Sequence, residues 1–335
     1  MDLKVGIPRG LLYYRYFPLW QTFLQELGCE VVLSTPTTKE MVNRGASVAV
    51  SDLCLPVKAY FGHIMSLRDQ VDLLFVPRYV SVEEDAYMCP KFLGLPDMVA
   101  STIEPLPPLI DYLINYKGWK KMTEPQFYEK VGTLFSRDSG KVKRAYQKGL
   151  EKQKDFRRLQ QKAVSFEEAL ALSLSSPGRV KGQGKGNAGQ PKIGLVGRPY
   201  YLNDPFLNKG LSGKIEAKGY RVVTTESLTE LEVDRQISKL SKRVYWSFGK
   251  EMVGSALHFA GDPEVKGIIN LASFGCGQDS FNWEIVSHHV KMMGKTPVLP
   301  LIFDEHWSDG GLLTRLEAFL DLITRRERQN RKEKG

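Results

Sequence analysis

One plan of strand, turn, helix, glycine and strand occurs twice in this chain of 335 residues, and it limits the fold more than any other feature. In the first half, apolar residues 3–7 lead into a Gly/Pro/Arg turn, a helical pattern ends at Gly28, and the segment CEVVLS follows. In the second half, residues 193–196 lead into the turn Gly-Arg-Pro, a helical stretch ends at Gly219, and YRVVTT follows. Two strands that are connected through a helix pair in parallel. The sequence therefore predicts an α/β fold with parallel sheets.

Both halves continue in the same way, with a helix and a buried strand that ends beside a cysteine. A helix near 58–67 precedes the strand VDLLFVPR and Cys89, and a helix near 249–259 precedes VKGIINLASFGC and Cys276. In open α/β sheets, ligands bind outside the carboxyl ends of the strands. We therefore expect two related Rossmann-like domains whose parallel sheets face a central cleft, together with a helical insertion.

Composition divides the chain further. The expected segments are a first Rossmann-like domain at 1–111, a helical basic segment at 112–174, a flexible linker at 175–191, a second Rossmann-like domain at 192–324 and a basic tail at 325–335. The linker is assigned because it is rich in Gly, Ser and Lys, a composition typical of flexible connections.

The net charge of +9 is concentrated in two stretches. Residues 141–190 contain twelve Lys/Arg against four Asp/Glu, and residues 321–335 contain six against three, so the remainder is slightly acidic. No nucleic-acid-binding motif accompanies this charge. Solvated surface is the favoured interpretation, docking to an acidic protein is the next, and nucleic acid is not expected as a partner.

The cysteine content and the hydropathy pattern indicate a cytoplasmic protein. Four cysteines are too few for a disulfide scaffold, which favours a reducing compartment. No apolar run approaches the ~20 residues that a membrane span needs. The first residues, MDLKVGIPRG, do not have the pattern of a signal peptide.

Three of the four cysteines are candidate metal ligands. Cys29 begins a buried strand and is expected to be ordinary core. Cys54 precedes Pro56 at a strand-to-helix junction, Cys89 precedes a proline, and Cys276 lies between two glycines, so backbone amides are available to each sulfur. The spacing contains no C-x-x-C pair, and on spacing alone three unrelated cysteines are an equally good interpretation. Their common position after strands favours a shared site, in which three thiolates would leave one iron of a four-iron cluster open.

Basic residues near these loops are candidates for binding an anionic ligand, such as a phosphate or a thioester-linked cofactor. They could also stabilise a reduced, negatively charged cluster. The candidates are Arg9, Lys58, Arg78, Lys91 and Arg198, together with Gln278.

Long motifs in the chain resemble a known family. The segments SDLCLPVKAYFGH, VPRYVSVEEDAYMCPKFLGLPD and DEHWSDGGLLTRLEAFLDLI are similar to the uncharacterised domain of proteins related to acyl-CoA dehydratase activases, the CoA-substrate-specific enzyme activases. That group also resembles the cluster-bearing subunits of 2-hydroxyacyl-CoA dehydratases and benzoyl-CoA reductases.

The resemblance implies a 4Fe-4S cluster on Cys54, Cys89 and Cys276, with one open or exogenous coordination site. In those dehydratases an ATP-hydrolysing activase supplies a low-potential electron, which is used to reduce a CoA-thioester. This sequence has no actin-like phosphate loop, so the activase would be a separate partner. The chain would then be a subunit of a dehydratase-like or reductase-like system in anaerobic metabolism, acting on a CoA-thioester or another small anionic substrate, and a dimer is left open.

Two other functions are left open. One is a non-catalytic accessory protein that scaffolds or delivers a cluster, or that docks an activase through the basic segment. The other is a sensor of a small ligand without a cluster, which two α/β lobes facing a cleft would allow.

Overall fold

The computed structural model describes residues 3–118, 120–175, 189–294 and 296–332, with side chains up to residue 329. The strands in these ranges are β1 (Lys4–Ile7), β2 (Glu30–Leu33), β3 (Leu73–Phe75), β4 (Arg78–Tyr79), β5 (Leu109–Ile110), β6 (Leu113–Ile114), β7 (Lys192–Val196), β8 (Arg221–Thr224), β9 (Val265–Ser273) and β10 (Val298–Phe303).

The α-helices in the same ranges are α1 (Tyr13–Glu26), α2 (Lys39–Val48), α3 (Leu55–Leu67), α4 (Pro90–Thr102), α5 (Glu124–Gly132), α6 (Ser139–Gln161), α7 (Phe166–Leu174), α8 (Pro199–Asn203), α9 (Leu211–Glu216), α10 (Glu230–Ile237), α11 (Ser247–Gly261), α12 (Gly277–Met293) and α13 (Asp309–Lys332). In the described part of the chain, no helix is both long and apolar enough to span a membrane.

Two four-stranded sheets share one strand order. The first sheet has the order β2-β1-β3-β5 and the second has the order β8-β7-β9-β10, and every pair of neighbours in both sheets is parallel. In each sheet the first strand along the chain is central and the second lies beside it at the edge. The predicted α/β class with parallel sheets is confirmed, and so are the strands expected on both sides of Gly28 and Gly219.

The two sheets contribute to one continuous hydrophobic core. That core includes Val5 and Ile7 of β1 together with Ile193 of β7 and Phe303 of β10. A smaller core lies between α11, α12 and the far side of the second sheet. Side chains from the two halves of the chain are therefore packed together over a large area.

A buried polar network also joins the halves. Thr37 donates to Asp204 and its hydroxyl oxygen lies 3.0 Å from Nε2 of His63, while Tyr14 donates to the same carboxylate at 3.0 Å. Because the Thr37 hydroxyl hydrogen is used by Asp204, His63 carries its proton on Nε2 and accepts from Ser34 on Nδ1, at 2.8 Å. Burial, followed by the charge of nearby Arg9, lowers the pKa of His63 to about 4. His63 is thus neutral at physiological pH.

The helix that follows Cys54 is fixed by direct backbone contact with its neighbour. A Cβ atom added at Gly45 of α2 would lie 1.8 Å from the Lys58 carbonyl oxygen, and one added at Gly62 of α3 would lie 2.0 Å from the Met41 carbonyl oxygen. Only glycine permits such an approach. The start of α3 is therefore held in one position against α2.

The expected helical basic segment is formed by α5, α6 and α7, of which α6 packs along α1. Positions 176–188 of the expected linker lie outside the described residues. Helix α13 extends to Lys332 and so covers most of the expected basic tail, of which positions 333–335 lie outside the described residues.

Candidate functional site

Each of the three candidate cysteines is the residue immediately before a helix. Cys54 precedes α3, Cys89 precedes α4 and Cys276 precedes α12, and each is half-buried. The prediction of a strand before Cys54 is wrong, because helix α2 ends at Val48 and an irregular turn connects it to α3. The first turns of α3 and α4 contain a proline, which explains why both helices begin directly after the cysteine. Unpaired N–H groups and the positive end of the helix dipole lie at this position, so each sulfur is next to a site that favours negative charge.

The loop before Cys276 needs a glycine. Gly275 has φ +72°, in the left-handed region that is costly for other residues, and it turns the chain from the end of β9 into α12. Cys276 therefore emerges at the carboxyl end of a central strand, as the sequence predicts.

Arg198 connects the end of β7 to the first turn of α12. Its Nε and Nη2 atoms donate to Oδ1 of Asp279 at 2.9 and 2.8 Å, and Nη2 also lies 3.0 Å from Oε1 of Gln278 and 3.5 Å from Sγ of Cys276. The Arg198 and Asp279 side chains are 2% and 1% exposed. Burial alone would lower the pKa of Arg198, but the charge of Asp279 raises it well above its usual value. A permanent positive charge therefore lies beside the third cysteine.

The three sulfurs affect one another electrostatically. Burial is the main cause of the raised pKa of Cys54, and the charge of Cys89 raises this pKa further. Lys91, the Val57 amide and Arg198 act in the opposite direction and lower it. Burial likewise raises the pKa of Cys276 to about 11, again opposed by Arg198 and increased by Cys54. All three thiols hence belong to one neighbourhood around Arg198.

This neighbourhood is not a closed metal coordination sphere. Among the residues that the structure describes, no three His, Cys, Asp or Glu side chains are grouped closely enough to hold a metal ion. In residue type, however, the set fits the expected cluster, because iron–sulfur clusters use cysteine thiolates and their sulfurs accept backbone hydrogen bonds. Arg198, whose charge is balanced by Asp279, adds a hydrogen-bond donor, Nη2, beside Sγ of Cys276.

The other candidate basic residues are divided between this neighbourhood and more distant places. Lys91 approaches it, with Nζ 3.4 Å from the Asp52 carbonyl oxygen. Lys58 lies one helical turn after Cys54, but it is buried in an ion pair with Glu305 at 2.7 Å. Arg78 is held by ion pairs with Asp97 and Asp111, outside the cysteine neighbourhood.

Arg9 belongs to the polar network rather than to the cysteine loops. Its backbone N–H donates to Ser34 at 2.9 Å and its guanidinium lies 6.0 Å from the Tyr13 ring. Cys29, which was predicted to be core, is buried in the main hydrophobic cluster.

A cavity of about 410 Å³ lies beside the cysteine loops. Leu53, Leu55, Phe274 and Gly275, which flank Cys54 and precede Cys276, contribute to its wall together with Lys58. Small-molecule sites usually have volumes of roughly 300–1,000 Å³, so a small ligand can be accommodated there.

Sequence reasoning missed two important partners at this site. Asp279 neutralises Arg198, and Glu305 neutralises Lys58. The only local signal for Asp279 is an acid in the first turn of a helix, which is a common feature of helix starts. Glu305 lies in an irregular loop after β10, and nothing in the sequence around it indicates a buried lysine as its partner.

Comparison with known families gives one match. The sequence model of the CoA enzyme activase uncharacterised domain (DUF2229) matches residues 4–228, about two thirds of the chain. That range contains Cys54 and Cys89 and ends before Cys276. No curated protein matches the chain.

Proposed function

The chain belongs to the family of the CoA enzyme activase uncharacterised domain, and on that premise we propose that it is an iron–sulfur protein that takes part in ATP-driven, low-potential electron transfer to a substrate. The single observation that carries the proposal is that Cys54, Cys89 and Cys276 each precede a helix, with the buried Arg198 in contact with Cys276 and acting electrostatically on the other two. A 4Fe-4S cluster bound there would supply one-electron chemistry and one iron that is open to substrate or to an exogenous ligand.

The surroundings of the three thiols support this role. For Cys54 and Cys276, the helix N-termini and the Arg198 guanidinium favour the thiolate form that binds iron, whereas burial raises the pKa of both thiols and disfavours it. Gln278 and Asp279 hold the guanidinium in place next to Cys276. In this proposal the protein itself orients the thiols, offsets their charge and limits access of water.

The adjoining cavity is the proposed substrate site. Its wall contains Lys58, which is paired with Glu305, and Lys91 is a second basic group near the Cys54 loop. In this proposal an anionic substrate takes the place of Glu305 beside Lys58. A CoA-thioester or another small anionic molecule is the substrate class that fits the family. On the premise of the same family, we propose an ATP-hydrolysing activase as a cytoplasmic partner.

We also propose that the two sheets belong to two related Rossmann-like domains, at 1–111 and 192–324, whose strand carboxyl ends face each other. The identical strand order of the sheets supports a duplication. The helical segment 112–174 would then be an insertion packed on the first domain, followed by the linker 175–191, with the segment 325–335 at the end of the second domain.

Iron and sulfide analysis after anaerobic purification tests the proposal. We expect about four irons per chain and an absorption band near 400 nm, by analogy with other four-iron proteins. Replacing Cys54, Cys89 and Cys276 by serine must remove the iron, while Cys29→Ala, a change in the hydrophobic core, must keep it. Retention of iron in the triple variant, or its absence from the anaerobic wild-type protein, would refute the iron–sulfur function.

One observation favours a second candidate, a non-catalytic accessory protein. Helix α6 has an exposed basic face that includes Lys143, Arg144, Lys148, Lys154 and Arg158, and such a face can dock an acidic partner. This role would be favoured if the protein stably captures an ATPase and loses it when these five residues are changed to glutamine. It would also require that calorimetry detects no binding of acetyl-CoA. Binding of acetyl-CoA by the iron-loaded protein would favour the catalytic one.

A further inference from the structure

A second cavity, which we call the polar chamber, lies where the two halves of the chain meet. It has a volume of about 370 Å³ and is lined by residues of α1, α5, α6, α10 and α11, including Arg15, Glu124, Gln153, Asp234 and Ser247. Thr225, directly after β8, also contributes, so the chamber opens near a strand carboxyl end. Such positions are where α/β proteins bind ligands.

The cations of the polar chamber are already neutralised. Arg15 is paired with Glu251 at 2.6 Å, and Lys250 is paired with Glu83 at 2.6 Å. Arg157 lies 3.8 Å from the buried Glu226 and donates to Gln160 at 2.8 Å. An anionic ligand would have to displace one of these carboxylates.

Three acids of the chamber have no such partner. Glu124, Glu230 and Asp234 form no ion pair within the described part of the chain, and Glu230 and Asp234 lie one turn apart on α10, at the rim. Burial raises the pKa of Glu124 to about 7, so a cation bound beside this carboxyl group would favour its ionised form. The wall as a whole contains more acidic than basic side chains, because Glu230 and Asp234 add to the carboxylates that pair with its cations.

Two buried oxygens of the wall add hydrogen-bond acceptors. Oγ of Ser247, a residue that is only 5% exposed, and Oε1 of Gln153 have no hydrogen-bond partner among the described residues. Buried polar atoms are nearly always satisfied in native proteins, so such atoms around one cavity call for an explanation. Nη1 of Arg15 also has no such partner, but it is a donor, and Nη2 of the same guanidinium is paired with Glu251. The two oxygens and the carboxyl groups of Glu124, Glu230 and Asp234 therefore outnumber the one unpartnered donor that Arg15 contributes.

We propose that the polar chamber binds a small organic amine in its ammonium form. A primary ammonium supplies positive charge and three hydrogen-bond donors, which matches the unpaired carboxylates and the free oxygens of Gln153 and Ser247. This site is separate from the cysteine neighbourhood. The Ser247 amide donates to the Tyr87 carbonyl oxygen at 3.0 Å, and this contact lies between the chamber and the loop that holds Cys89.

Isothermal titration calorimetry of the full-length protein with 1,4-diaminobutane tests the proposal, with 1-butanol and sodium acetate as control ligands. We expect saturable one-to-one binding of the diamine and none of the controls. Glu124→Gln should weaken binding at least ~10-fold, because it removes a half-buried acid from the wall of the chamber. Glu129→Gln, an exposed change on the same helix, should leave the affinity unchanged.

Two further variants keep the test decisive if Glu124→Gln fails to fold. Asp234→Asn changes an exposed acid at the rim, and Ser247→Ala removes only the buried hydroxyl, so both variants are expected to fold and to weaken binding. No saturable binding of the diamine, binding of acetate in its place, or an affinity that Glu124→Gln, Asp234→Asn and Ser247→Ala all leave unchanged would overturn the proposal. Iron loading is not needed for this experiment, so its failure is distinguishable from failure of the iron–sulfur function.

Discussion

Replacing Asp279 by asparagine should destabilise the protein far more than a single conservative change normally does. The Asp279 carboxylate accepts two hydrogen bonds from Arg198 on Oδ1 and one from the Ser273 amide on Oδ2, at 3.3 Å. Asparagine has almost the same shape and retains one oxygen acceptor. What it removes is the negative charge, and a fully buried guanidinium then has no carboxylate in contact with it.

The expected cost follows from the burial of both partners. Breaking a buried ion pair by removing one charge costs about 3–5 kcal/mol, because the remaining charge is uncompensated. Total stabilities are about 5–15 kcal/mol, so the loss is a large share of the free energy of unfolding. The exposed pair of Lys218 and Glu317, at 3.0 Å, is a matched control, since such surface pairs contribute about 0–1 kcal/mol.

Urea unfolding of the metal-free protein at pH 7, followed by far-ultraviolet circular dichroism, measures both effects. Asp279→Asn should lower the midpoint with an unchanged slope, and Glu317→Gln should barely move it. The double variant Arg198→Met with Asp279→Leu should recover much of the loss, because neither charge is then buried. A loss below about 1 kcal/mol for Asp279→Asn, or one equal to the control, would refute the idea that this pair organises the site.

Three other perturbations follow from the packing. Gly62→Ala should lower the free energy of unfolding in urea by about 1–3 kcal/mol or more, because its Cβ would lie 2.0 Å from a backbone oxygen of α2. Gly94→Ala is the control: no atom lies within 4 Å of its Cβ position, so this change should stabilise α4 by about 0.5–1 kcal/mol. Equal effects of the two changes would contradict the close approach of α2 and α3. Thr37→Val should cost about 1–3 kcal/mol, since the hydroxyl that links the buried histidine and aspartate is lost, and a neutral result would contradict the network. Burial raises the pKa of Glu124 to about 7, so its stabilising contribution is complete below the unfolded pKa near 4.5 and is lost as the pH rises through about 7. Relative to Glu124→Gln, the wild-type protein should therefore lose up to about 3 kcal/mol of unfolding free energy between pH 5 and pH 8 in the same assay, and parallel pH profiles would contradict the raised pKa.

The parallel sheets and the position of Cys276 after a central strand could be predicted because their signals are local, whereas Cys54 follows helix α2 and not the expected strand. Two strands that are connected through a turn and a helix pair in parallel, and this direction does not depend on more distant parts of the chain. Proline after Cys54 and Cys89 marks the start of a helix, and the structure has α3 and α4 beginning there. These features depend on neighbours within a few residues in the sequence.

The partners of the charged residues could not be predicted in this way. Arg198 and Asp279 are separated by 81 residues, and Lys58 and Glu305 by 247. Arg78 stands at the end of an apolar strand, as Arg198 does, yet it is bound by acids on the protein surface. The type of a residue shows what it can bind, whereas its partner depends on how distant segments pack.

The cysteine neighbourhood and the polar chamber favour ligands of opposite charge. Around the cysteines, the starts of three helices favour an anionic group, and Arg198, although it is paired with Asp279, keeps Nη2 within 3.5 Å of Sγ of Cys276. In the polar chamber every cation has a carboxylate partner while Glu124 and two further acids do not, so a cation is favoured among the described residues. Arg198 and Cys276 follow the parallel strands β7 and β9, and Thr225 of the chamber follows β8. The fold therefore determines where ligands can bind. A few side chains at each place determine whether the ligand is an anion or a cation, and these side chains can differ without a change in the fold.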